Sequence, residues 1–218
     1  MSLVRKYTAL FVSLFFAAMG ISLQLKAMVG VAPFDALNQS LSFVTGQPVG
    51  NIVMFINIIF IILQVLILRK DTTWRIFLQV IVGTLLGQFV NFFFYFVFDS
   101  LVLDNYILQM LLFIIGCLWV PFFLGAILVL DLVTMPVENL AMLVSAKTRF
   151  TFGQVRQFLD ILFVIGSLIL TFVFSEDLTI REGTVISALT FGPLFSVYMP
   201  RIEKVFERWG LIENVSTN

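Results

Sequence analysis

Six apolar stretches run through this chain, at approximately residues 8–28, 50–68, 76–98, 106–130, 153–174 and 183–200. A bilayer core about 30 Å thick is crossed by a helix of about 20 such residues, whereas an open strand edge finds no hydrogen-bond partner in hydrocarbon. The pattern therefore predicts an all-α, polytopic membrane protein with six transmembrane helices, organised as a single membrane domain. The second stretch is the sharpest, ending at Arg69-Lys70-Asp71, and the last contains Gly192-Pro193, where a kink is expected. Composition agrees: 60% of the 218 residues are hydrophobic, 12% are charged, and mean hydropathy is +1.06. The 26 phenylalanines, some in runs such as Asn91-Phe-Phe-Phe-Tyr-Phe, exceed what a soluble core of this size buries and suit a surface facing lipid. Arg5-Lys6 before an apolar run also has the form of a signal peptide, but the apolar run continues to about residue 28 and further spans follow it.

Orientation follows from the basic residues, which favour cytoplasmic loops. With the N-terminus inside, the inner face collects Arg5, Lys6, Arg69, Lys70, Arg75, Lys147, Arg149, Arg156, Arg201, Lys204 and Arg208. The outer loops then hold Arg181 together with Asp99, Asp104, Glu176, Asp177 and Glu182, and Lys26 sits near the outer end of the first span. Both termini are thus expected in the cytoplasm, with residues 201–218 as a C-terminal tail.

A repeat is visible at an offset of 103 residues. APFDALNQSLSFVTGQPVGNIVMFINI aligns without a gap on MPVENLAMLVSAKTRFTFGQVRQFLDI, pairing Pro33 with Pro136, Asp35 with Glu138, Gly50 with Gly153, Phe55 with Phe158 and Asn57 with Asp160. Each half, about 8–98 and 106–200, is then a helix, a short Pro-initiated segment and two more helices. Three spans is an odd number, so the second half enters the membrane from the opposite side. The expected architecture is two inverted three-helix repeats, an arrangement common in secondary transporters. Phe34, Leu37, Leu41 and Val44 lie on one helical face of the first Pro-initiated segment, and Val137, Leu140 and Val144 on that of the second. Such short helices can lie at the interface or dip in as re-entrant elements.

Five polar residues are candidates for a substrate or ion pathway. Asp35 and Glu138 follow the two prolines, and can be gates at the outer and inner mouths of one pathway or simply the acids that favour a helix N-terminus. Asp160 lies about 10 Å inside the fifth span. An ionisable group at that depth is by default a functional hypothesis, unless Arg156 one turn earlier neutralises it. Asn57 is its repeat mate. Lys26 is expected to snorkel outward and Asp131 to end the fourth span. Gln64, Gln79, Gln88, Asn91 and Gln109 are expected to hydrogen-bond between helices, and Gly83 and Gly87 to allow close helix contact, within the chain or in an oligomer.

The motifs Ala18-Met-Gly-Ile-Ser, Val31-Ala-Pro-Phe-Asp-Ala-Leu, Thr45-Gly and Gly50-Asn resemble the bacterial YczE/YyaS/YitT group of integral membrane proteins, and YczE most of all. The resemblance implies a multi-pass protein of the bacterial plasma membrane and brings no biochemical activity with it.

Histidine is absent and Cys117 is the single cysteine, which excludes imidazole metal sites and Ser-His or Cys-His catalysis. There is no Walker lysine motif, dinucleotide loop or metal-ligand cluster, so neither an enzyme nor a cofactor is expected. The basic residues are explained by topology, which leaves no footprint for nucleic acid. The expected partners are the lipid bilayer and a small solute or ion. Two functions remain: a small inverted-repeat permease or channel, or a membrane scaffold or regulatory protein that transports nothing. In a Cys117→Ser background, single cysteines placed at Asn105 and Thr72 should react with an impermeant reagent from outside and inside respectively; the reverse pattern overturns the orientation.

Overall fold

The computed structural model describes residues 3–71, 73–174 and 177–212, so Thr72 and Glu176 lie outside the described residues. All regular structure among these residues is helical: α1 (Leu3–Ala27), α2 (Pro33–Thr45), α3 (Val49–Leu68), α4 (Arg75–Phe92), α5 (Tyr106–Leu130), α6 (Pro136–Lys147), α7 (Phe152–Phe174) and α8 (Glu182–Arg208). A π-helical turn, Phe93–Val97, extends α4. Six of these helices are long and apolar enough to cross a membrane, and the chain is a multi-pass membrane protein.

The order long, short, long, long occurs twice, and the offset of 103 residues reaches further than the sequence alignment. It carries the first residues of α2 and α3 onto those of α6 and α7, and the end of α1 at Ala27 onto the end of α5 at Leu130. The last helix departs from expectation. α8 continues through Gly192-Pro193 and Pro200 to Arg208, because Ile202 and Phe206, followed by Leu211, pack into the main core. The expected tail is therefore helical as far as Arg208.

α4, α1, α5 and α8 form one row in which each helix packs on the next. On the other side α3 and α7 are bridged by both short helices, and α3 also packs along α4. α1 and α5 cross antiparallel. Phe16 meets Phe123, Gly20 meets Val120 and Gly116, and Gln24 meets Gly116 and Cys117, so contacts descend α5 as they climb α1. At this crossing Trp119 Nε1 donates to Phe16 O at 3.0 Å, and these residues are themselves 103 apart. Phe60 and Phe163, another pair at that offset, bring their rings to 5.9 Å.

α3 and α4 approach more closely than side chains allow. A Cβ on Gly50 would collide with the Gly87 carbonyl oxygen, and one on Gly87 with that of Gly50. Gly83 lies against Asn57, so the small-residue face of α4 packs on α3 of the same chain. The seam is also polar: Asn91 accepts from Gly50 N at 2.8 Å and donates to Asn51 Oδ1 at 2.9 Å, and the Tyr95 hydroxyl accepts from Val49 N at 3.2 Å. These bonds cover amides that the start of α3 would otherwise leave bare.

Gly153, the repeat mate of Gly50, has open space where a Cβ would be. Gly50→Ala should therefore cost about 2 kcal/mol or more through overpacking. Gly153→Ala should be neutral, or stabilising by up to about 1 kcal/mol through helix propensity. Thermal unfolding of the two variants in detergent checks the contrast, and equal effects would remove the basis for the tight α3–α4 seam.

Candidate functional site

Both short helices start inside the bundle. Each begins with proline at its first position after an extended residue, Ala32 for α2 and Met135 for α6, and each has its acid at the third position. Proline has no amide hydrogen to lose there, and a carboxylate suits the positive end of the helix dipole. The loop before α2 is pinned to the start of α8. Gly183 N donates to Val29 O at 2.8 Å, Arg181 Nη1 to Met28 O at 2.7 Å and Val31 N to Thr184 Oγ1 at 3.3 Å. Gly30, at φ 107°, sits where a Cβ would strike Thr184, so both its conformation and the close approach require glycine.

The starts of α2 and α6 face a common cavity of about 70 Å³, to which every helix contributes. That is room for about five water molecules. Its polar lining is Gln24, Asp35, Asn57, Glu138, Arg156, Ser187 and Thr190, and the remaining wall is apolar, including Ile21, Phe34, Val53, Leu86, Val120, Leu124 and Phe191. Asp35 and Glu138 thus line one chamber, within electrostatic range of each other and of Arg156. Gates at opposite mouths do not describe this arrangement.

Asp160 is not part of the lining. It takes the Arg156 guanidinium at 2.5 Å, one helical turn away, while Glu138 lies 3.9 Å from the same group. Asp160 therefore positions the cation that the cavity presents. Asn57, 4% exposed, reaches the cavity from α3. Lys26 lies apart, its ammonium over the Phe94 ring at 4.5 Å and 3.5 Å from Asp99 O. Asp131 ends α5 in a left-handed conformation.

Each short helix is held by a polar group on a long helix of the other half. Gln64 of α3, fully buried, donates to Pro136 O at 2.8 Å and to Gln79 Oε1 at 3.1 Å, and accepts from Asn139 at 2.8 Å. Ser167 of α7 reaches Ala36 O at 3.4 Å and joins Ser40 and Thr179 in a closed set of hydroxyl contacts at 2.8 to 2.9 Å. The offset of 103 carries Ala36 onto Asn139 and Gln64 onto Ser167, so the two clamps occupy matching positions.

Sequence reasoning did not single out Gln24, Ser187 or Thr190. Gln24 is 3% exposed, lies against Gly116, and turns its amide NH2 to Cys117 Sγ at 3.8 Å, leaving Oε1 without a partner. A glutamine three residues before the end of an apolar span was the available signal. The other buried side-chain oxygens without partners among the described residues, on Asn38 and Thr171, lie outside the cavity lining.

An all-helical membrane bundle enclosing one mixed polar and apolar chamber is the class these features define. The chain belongs to the DUF6198 family, a family of unknown function, which residues 4–200 match. It is similar to the uncharacterized protein YyaS of Bacillus subtilis (strain 168), at 25% identity over 201 residues that cover 92% of this chain and 96% of the relative. This agrees with the group that the sequence motifs resemble. No solved structure matches the chain.

Gln64→Leu should destabilise the protein by about 3 kcal/mol, because Pro136 O, Asn139 and Gln79 lose a buried partner together. Asp160→Asn should cost about 1 to 2 kcal/mol, since the pair it breaks is about a quarter exposed on either side. Thermal unfolding in detergent ranks them, and an unchanged Gln64→Leu midpoint overturns the clamp.

Proposed function

We propose that this chain is a small inverted-repeat permease of the bacterial plasma membrane, with both termini cytoplasmic, and that its central cavity is the binding site for a small solute or ion. The observation that carries this reading is the meeting of Asp35 and Glu138 in one chamber, at the starts of two short helices, where Gln24 with its unpartnered buried oxygen also forms part of the wall. Sites of this kind, between repeats and at the ends of interrupted helices, are where secondary transporters bind substrate. The offset of 103 residues, the antiparallel crossing of α1 and α5, and the contacts between residues at that offset support the inverted relation of the halves. The distribution of Lys and Arg supports the orientation.

Uptake into liposomes carrying the purified protein, screened across inorganic ions and small metabolites, tests the reading. At least one solute should accumulate above protein-free liposomes. Asp35→Asn and Glu138→Gln should each reduce that uptake about tenfold or more while thermal stability is kept. Uptake absent across the panel, or indifferent to both substitutions, overturns the permease and favours a scaffold.

A further inference from the structure

We infer that the central cavity is selective for a small organic ammonium ion, a group carrying N–H donors on an apolar stem of about three or four carbons. This deepens the permease reading by naming its substrate class. The polar wall carries more acceptors than donors: Arg156 and the Asn57 amide are its donors, and the Arg156 guanidinium is already engaged by Asp160 and Glu138. Ser187 spends its hydroxyl hydrogen on Thr184 O at 3.0 Å, and Thr190 spends its own on Ile186 O at 2.7 Å. Both therefore turn only lone pairs toward the chamber.

Gln24 supplies an amide oxygen that is deeply buried and unpartnered, in an environment where a bare acceptor is costly until a donor reaches it. The Asp35 carboxylate accepts no hydrogen bond from any described residue. Charge points the same way. Glu138 and Asp160 lie against a single guanidinium, Asp35 is within electrostatic range of it, and Asp160 holds it from outside the chamber. An entering anion would meet two carboxylates beside an already paired Arg156, whereas a cation with N–H groups would give the Asp35 carboxylate the donors it lacks.

The rest of the wall decides against a bare metal ion. Ile21, Val53, Leu86, Val120 and Phe191 offer no oxygen to replace a hydration shell, but they suit a short alkyl stem. Five or so water volumes correspond to propylammonium or butylammonium in size.

Binding, measured apart from transport, tests this. Purified protein in detergent is titrated with propylammonium, butylammonium, tetramethylammonium, butyrate and sodium as chloride or sodium salts, and the thermal midpoint is followed at constant ionic strength. The primary ammonium ions should raise the midpoint saturably, and the other three should not. Asp35→Asn should weaken that binding about tenfold or more, and Gln24→Leu by a similar factor. Gln109→Leu, on the same protein but outside the chamber, should leave it unchanged. Equal binding of butyrate, tetramethylammonium or sodium overturns the proposal, as does the absence of ammonium binding or its indifference to Asp35→Asn. Should a variant fail to fold, the wild-type titration decides by itself: midpoint shifts confined to the primary ammonium ions uphold the proposal, and equal shifts with the other ions, or none at all, overturn it. Ammonium binding without liposome uptake would keep the site and remove the permease.

Discussion

A helix that begins away from water must have its first amide groups covered by protein, and this constraint governs how the chain is built. α2 and α6 start inside the bundle, so the surrounding helices have to come to them. Proline removes one donor at each start, an acid answers the positive dipole, and α3 and α7 reach across with Gln64 and Ser167 to hold the short helices in place. The chamber is the space left where the two starts face each other. Its polarity follows from the same requirement, since the groups that suit helix ends are the ones left lining it.

The antiparallel crossing of α1 and α5 sets the distance between the halves. Gly20 and Gly116 let the two helices approach, and Trp119 bonds to the main chain of Phe16. The same approach places Gln24 against α5 at the wall of the cavity. Packing and site are thus linked through one small residue: anything larger than glycine at 116 would displace the glutamine that lies on it.

Much of the architecture was legible in the sequence because rare residues at fixed spacing carry it. Pro33 and Pro136 mark the starts of α2 and α6, and the six spans are plain from hydropathy. The correspondence of α1 with α5 was not legible, since apolar residues facing lipid or other apolar residues exchange freely and leave no alignable trace. The site was legible in part. Asp35, Glu138, Asn57 and Arg156 could be named from type and position, but their meeting depends on how the halves dock, which spacing along the chain does not encode. Asp160 stood out by depth alone, and its bond to Arg156 shows why depth is a poor guide when a partner lies one turn away. Gln24, Ser187 and Thr190 carry no motif, and only the fold assigns them to the chamber.

The Gly50–Gly87 seam has a mechanical meaning. α3 and α4 touch backbone to backbone and share the bonds of Asn91 and Tyr95, so they deform as one stiff rod. Among the described residues α7 and α8 show no such seam: Gly153 faces open space, and the two helices make little contact along their length. Identical loads on the two halves therefore produce unequal strain, and the compliance of the chamber wall is concentrated on the side of α7 and α8, where Arg156, Ser187 and Thr190 are mounted.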